Sequence, residues 1–215
     1  MSVARVMLVH GTRDTAASFD GVRALLPDLD VTTYTRRGWL PGAGLEPIEL
    51  ETHVDDLLAV IDDTPSIVIG HSWGGNVVIA AAIRRPDLIA SIGIWETSML
   101  WLPGWPSEHP GILRRAIDRS RQKLTESSNR QRERTRFIAE AEMAFAQHFD
   151  LDDVKVPCVV GVGGASLPAF GTGMRKVATV LEAEVFEIPE AGHMAHREHP
   201  TEFAAFVRRA VSLAP

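Results

Sequence analysis

The chain has a single cysteine in 215 residues, Cys158. A lone thiol excludes an intramolecular disulfide framework, and its place in the apolar run Val156 to Val162 predicts that it is buried. No apolar run approaches the roughly 20 residues that a membrane-spanning helix requires. The N-terminus passes from Met1 straight into the run Val3 to Val9, without the charged leader, long apolar stretch and cleavage site of a secretory signal. Together these absences predict a soluble, cytoplasmic protein with no membrane partner. Positive charge is also in short supply: 22 Lys and Arg stand against 28 Asp and Glu, and the net charge of −6 offers no global field for nucleic acid. The histidines show neither H-E-x-x-H nor Cys-paired spacing and no cofactor motif occurs, so no metal and no cofactor is expected. Internal repeats and low-complexity segments are absent, and nothing in the sequence sets an oligomeric state.

What is there is a hydrophobic content of 45%, enough for one well-buried core. Short apolar runs alternate with amphipathic segments, which predicts an α/β fold: a mostly parallel sheet with helices on both faces. Six strands are expected, at Val3 to Val9, Asp30 to Tyr34, Ser66 to Gly70, Ala90 to Trp95, Pro157 to Val162 and Glu184 to Ile188. Helical spacing links Phe19, Val22 and Leu26, then Val54, Leu57, Leu58 and Ile61, then Met174, Val177, Ala178 and Leu181. The last helix carries Phe203, Phe206, Val207 and Ala210 on one face, with Thr201 as its expected N-cap after Pro200.

One stretch, about 97–150, breaks the alternation and reads as a helical lid inserted into a single domain spanning 1–215. Its two helical patterns are Leu113/Ile117/Leu124 and Phe137/Ala141/Phe145/Phe149. Between Ile112 and Arg136 fall nine of the 22 Lys and Arg but three of the 28 Asp and Glu, so this segment carries +6 and the rest of the chain −12. Such a run is either a solvated helix face balanced by the acidic body or a surface that attracts an anionic substrate or partner. Ahead of it Trp95, Trp101 and Trp105 cluster with Pro103 and Pro106, as rings that pack the lid on the body or line a substrate pocket.

The pentapeptide Gly70-His71-Ser72-Trp73-Gly74 joins the apolar run Ile67-Val68-Ile69 to a small-residue helical stretch. A serine forced into so tight a strand-to-helix turn is held above the sheet edge, and its flanking glycines avoid collisions with neighbouring elements. A serine hydroxyl is a weak nucleophile, so it needs a base within hydrogen-bond reach, an acid to orient that base, and donors for the developing oxyanion. His193 follows the last strand and so lies at the same sheet edge as Ser72, which makes it the expected base. His10 and His71 read as structural. His196 and His199 belong to the helix start or the surface, and His53, His109 and His148 read as solvated.

Four motifs in order resemble the α/β-hydrolase fold superfamily along nearly the whole chain. Leu8-Val9-His10-Gly11-Thr12 is similar to the His-Gly oxyanion segment, Tyr34-Thr35-Arg36-Arg37-Gly38 to the Arg-Gly loop, and Gly70 to Gly74 to the nucleophile elbow. Pro189-Glu190-Ala191-Gly192-His193 with Glu198-His199-Pro200 matches the histidine loop and final helix. The N-terminal antiparallel hairpin of the family is missing, and the lid is short. The family's common acid position after the fifth parallel strand is vacant, since no carboxylate follows Val162 until Glu182. Glu96, at the end of the preceding strand, resembles the alternative acid location of some relatives, with Asp150, Asp152 and Asp153 as lesser candidates. The resemblance implies oxyanion donors in the backbone N–H groups of Thr12 and Trp73, and an apolar site shaped by Trp95, Trp101, Trp105 and the lid. The expected activity is that of a serine hydrolase cleaving a small or medium, largely apolar carboxylic ester through an acyl-enzyme. Carbon–carbon bond hydrolase, thioesterase and hydroxynitrile-lyase-like activities, or a ligand-receptor role, stay open on the same fold.

Overall fold

The computed structural model describes residues 4–44, 48–124, 130–146 and 149–215. Six strands, β1 (Arg5–Val9), β2 (Asp30–Tyr34), β3 (Ser66–His71), β4 (Ile89–Trp95), β5 (Cys158–Gly163) and β6 (Glu184–Ile188), form one sheet in the order β2-β1-β3-β4-β5-β6. Every neighbouring pair is parallel. The strands expected from the apolar runs are all present with ends shifted by a residue or so, and Val3 lies outside the described residues. A parallel sheet is covered on both faces, which is why β3, β4 and β5 read as continuous apolar runs rather than as alternating ones.

Alternate residues of each strand feed two cores. On one face, Met7 and Val9 of β1 and Ile92 and Ile94 of β4 meet α2 (Leu50–Ile61), α3 (Trp73–Arg84) and α6 (Pro168–Val180). On the other, Val6, Leu8 and Trp95 meet Phe19, Val22 of α1 (Asp20–Ala24), and Phe203, Phe206 and Val207 of α8 (Pro200–Leu213). The short α7 (Ala195–Glu198) precedes α8. The N-cap of α8 is His199, not Thr201, and Pro200 takes the first helical position. Proline suits that position because its fixed φ matches the helix and its missing N–H would have no partner there. Cys158 is buried, and burial pushes its thiol pKa up, so it is an inert core residue. No described helix is long and apolar enough to cross a membrane.

Between β4 and β5 stand α4 (Glu108–Gln122) and α5 (Arg130–Met143). They close on each other through Ile117, Ile138 and Ala141, with Leu113, Leu124, Phe137 and Phe145 around them. Phe145 and Phe149 lie past the end of α5, and His148 lies outside the described residues.

One carboxylate fastens this insertion to the sheet. Glu140 of α5 is buried against the fully buried Arg36, at the end of β2, with Arg36 Nη1 donating to Glu140 Oε1 at 2.7 Å and Nη2 to Oε2 at 3.2 Å. The remaining donors of Arg36 reach the carbonyls of His10 and Gly11. Glu140 also accepts from Thr12 Oγ1 and Trp39 Nε1, and its own carbonyl accepts from Trp73 Nε1. Burial alone would raise the Glu140 carboxyl, but the Arg36 charge and these hydrogen bonds hold it below the usual carboxylate range.

Removing one partner of such a pair strands the other charge in the interior. Glu140→Gln is therefore expected to destabilise the protein by about 3–5 kcal/mol in equilibrium urea unfolding, with the double replacement Arg36→Met/Glu140→Met recovering much of the loss. A single-variant loss below about 1 kcal/mol would show that Arg36 draws its counter-charge from elsewhere.

Candidate active site

Because all strands run parallel, their C-terminal ends share one edge of the sheet. Ser72 leaves β3 there at φ 54 and ψ −126, immediately before α3, with its N–H bonded to the carbonyl of Trp95 at 2.8 Å. That left-handed region is costly for a serine and is held by the packing around it. A Cβ on Gly70 would come within 2.5 Å of Gly75 Cα, and one on Gly74 within 2.4 Å of the Val9 carbonyl, so the turn closes only with glycine on both sides. Gly11 is equally constrained, since a Cβ there would lie 2.7 Å from Ser72 Cβ.

Glu96 leaves β4 at φ 44 and is fully buried. Both of its oxygens are used: Oε1 accepts from the Gly163 N–H at 2.8 Å, and Oε2 accepts from His193 Nδ1–H at 2.8 Å. His193, in the loop after β6, keeps a third of its side chain exposed, at 33%. Its ring stacks on Phe170 with centroids 4.9 Å apart and planes at 21°. Beneath it the buried His71 donates from Nε2 to the His193 carbonyl at 2.9 Å, which ties the histidine loop to the residue before Ser72. With Nδ1 committed to Glu96, Nε2 is the ring nitrogen left for a second partner.

Asp150, Asp152 and Asp153 sit at the opposite end, where the chain enters β5, and Asp150 Oδ1 accepts from the Asp152 N–H. The Trp73 N–H heads α3, among the first donors of a helix that find no partner within it. Thr12 follows Gly11 beside Ser72, its hydroxyl drawn to Glu140.

The tryptophans separate. Trp95 is fully buried on the α8 face, packed against Phe203 and Phe206, and lines no cleft; strand alternation puts it opposite Ile94. Trp101 packs edge-on against Phe149. Trp105 donates from Nε1 to His109 Nδ1 at 3.0 Å, and His109 meets Phe170, the ring stacked on His193.

Three histidines read from sequence as solvated or superficial are interior. His53 packs against the edge of Trp73, 4.0 Å from Glu140. His109 is held as above, and His196 donates from Nε2 to Asp14 Oδ2 at 3.1 Å. Asp14, His71 and His196 bring their ligand atoms within 4.8 Å of one another, spacing that could hold a metal. The Asp14 carboxylate is nevertheless occupied, by His196 on Oδ2 and by Thr15 N–H and Arg197 on Oδ1. Three groups had no legible signal: the Gly163 N–H, a backbone donor; Phe170; and Glu140, one acid among many charges on α5.

The chain matches a known family. The model of the alpha/beta hydrolase family covers residues 6–206, and the chain belongs to that family. Among curated proteins it is similar to the lipase LipV of Mycobacterium tuberculosis, 29% identical over 45% of this chain and 38% of that protein. It is also similar to the pimeloyl-[acyl-carrier protein] methyl ester esterase of Neisseria meningitidis, 35% identical over 42% of this chain and 36% of that protein. These matches thus span well under half the length of either relative. Among solved structures, a thermophilic esterase from Thermogutta terrifontis superposes with a TM-score of 0.75 at 21% identity, over 98% of this chain and 90% of that one, a likeness of fold.

The buried histidines give the protein a pH signature. Burial pushes His10 down to about 3 and His53 to about 4, helped in both by the Arg36 charge, and pushes His109 to about 4, helped by His193. Folded values below the ordinary 6.5 mean that, under that pH, the unfolded chain binds protons that the folded chain does not. Their contribution is intact above about pH 6.5 and is lost as the pH falls towards 4. The melting temperature should therefore drop steadily across that window, and less steeply in His53→Leu. Equal slopes in the two proteins would show that His53 takes up no proton on unfolding.

Proposed function

We propose that the protein is a serine hydrolase that cleaves a small or medium carboxylic ester through an acyl-enzyme. The observation that carries this reading is the strained Ser72 at the end of β3, sharing a sheet edge with an exposed His193 whose far nitrogen is held by the buried Glu96. Ser72 Oγ attacks the ester carbonyl while His193 Nε2 takes its proton. Glu96 fixes the tautomer and stabilises the imidazolium, and its second bond from Gly163 keeps the carboxylate aimed. The N–H groups of Trp73 and Thr12 receive the oxyanion. The imidazolium then returns its proton to the leaving alkoxide, and water, deprotonated by the same histidine, releases the acid and regenerates Ser72. The pair α4 and α5 acts as the lid over this edge, with Trp105 reaching it through His109 and Phe170. The names of the curated relatives, a lipase and a methyl ester esterase, support an ester as the bond cleaved.

Ser72→Ala should lower kcat on p-nitrophenyl esters by about 10³–10⁶, and a fluorophosphonate should add once, at Ser72. Labelling at another residue, or an unimpaired alanine variant, refutes the nucleophile. Glu96→Gln, folded by circular dichroism, should cost about 10²–10⁴ in kcat, because a neutral amide cannot stabilise the imidazolium. Full activity in that variant would remove Glu96 from the triad.

A further inference from the structure

Beside the Gly11–Thr12 turn, between the loop after β2 and helix α5, lies a cavity of about 410 Å³. Its walls include Arg13, Trp39, Arg132, Glu133 and Arg136. Together with Asp14, that makes three guanidiniums against two carboxylates, and Asp14 is already occupied by Arg197, His196 and the Thr15 N–H. Arg136 is buried, donates from Nη2 to the Gly44 carbonyl, and leaves its Nε without a hydrogen-bond partner. Arg13 stands at φ 58, a left-handed conformation that a residue with a Cβ adopts only at a cost, and its guanidinium lies 4.0 Å over the Phe137 ring of α5. Burial presses the pKa of both Arg13 and Arg136 below the ordinary arginine value; Glu133 and Glu140 oppose the shift, and Arg134 and Arg132 add to it.

A surplus of guanidinium charge, an orphaned buried donor and a strained backbone meet at one cavity, and a bound anion there would offset part of the electrostatic cost. We propose that this cavity is a carboxylate subsite, holding the free carboxylate of a diacid monoester whose ester carbonyl lies at Ser72. The inference rests on the hydrolase reading and names its substrate class. Distance permits it: a Cβ at Gly11 would touch Ser72, and Arg13 Cα is two residues on, within about 7.6 Å of Gly11. The planar fork of arginine matches a carboxylate in two parallel hydrogen bonds, which an alkyl tail cannot return.

The test compares monomethyl adipate with methyl hexanoate, equal in chain length and different in the terminal carboxylate. The wild-type protein should favour the adipate ester by about tenfold or more in kcat/KM, the order expected of one charge-assisted hydrogen bond, and the gain should sit in KM. Arg13→Gln/Arg132→Gln should bring the ratio of the two esters close to one, and 0.5 M NaCl should shrink it in the wild type through screening. Calorimetric titration of Ser72→Ala with adipate reads the cavity without turnover, and should show binding that the double arginine replacement removes. A protein that binds adipate at these arginines and hydrolyses no ester overturns the hydrolase reading alone. Turnover of methyl hexanoate at least as efficient as that of monomethyl adipate overturns the subsite alone, as does a preference that survives the arginine replacements.

Discussion

A buried guanidinium organises this molecule. Arg36 sits at the end of β2 with no exposure, and its donors are shared between the carbonyls of His10 and Gly11 and the carboxylate of Glu140. The first two fix the turn that runs beside Ser72. The third draws the inserted helix down over the same edge, and with it Thr12, Trp39 and Trp73, each bonded to Glu140. In a low-dielectric interior a charge must be compensated by its neighbours, so the position of one side chain dictates those of four others. The sheet supplies the edge, and Arg36 sets what is packed against it.

The Glu96–His193 pair shows the same economy of partners. The carboxylate has no water to turn to, and both oxygens are spoken for by groups that arrive from different strands, Gly163 from β5 and His193 from the loop after β6. An acid at the end of β4 therefore reaches the histidine by crossing in front of β5. Gly163 donates its N–H to the carboxylate, and glycine at 163 and 164 lets the histidine loop close in, since a Cβ there would lie 2.3 Å from the Ala191 carbonyl oxygen or 2.4 Å from that of Pro189. The absence of a carboxylate after Val162 and the presence of one after Trp95 are two sides of one arrangement.

Much of this was legible from residue order. Strands in a doubly covered parallel sheet are long apolar runs, so their ends could be read to within two residues, and the candidate site residues Ser72, Glu96 and His193 each follow a run. What local pattern could not supply was facing. Trp95 was placed at the pocket because it is aromatic and close to Trp101, yet strand alternation turns it to the opposite side from Ile94. Nor could it supply partners distant in sequence. His53 reads as solvated because it falls in a helical segment, where a solvated histidine is the usual case, yet the Trp73 ring and Glu140, brought from elsewhere in the chain, pack against it. Glu140 was hidden for the opposite reason, as a single buried acid on a helix crowded with exposed charges.

The separation between Arg36 and Glu140, 104 residues, has a consequence for the order of assembly. During synthesis at roughly 5–20 residues per second, Arg36 waits on the order of 5–20 seconds before its counter-ion exists. By the end of that interval the strands β1 to β4 have all been made, but the guanidinium can be desolvated only beside bare carbonyls. Docking of the inserted helices is thus a late event, and the nascent chain carries an unclosed, charged seam at the very edge where Ser72 stands. A chain interrupted before α5 would keep most of its sheet-forming sequence and lose the group that permits that seam to close.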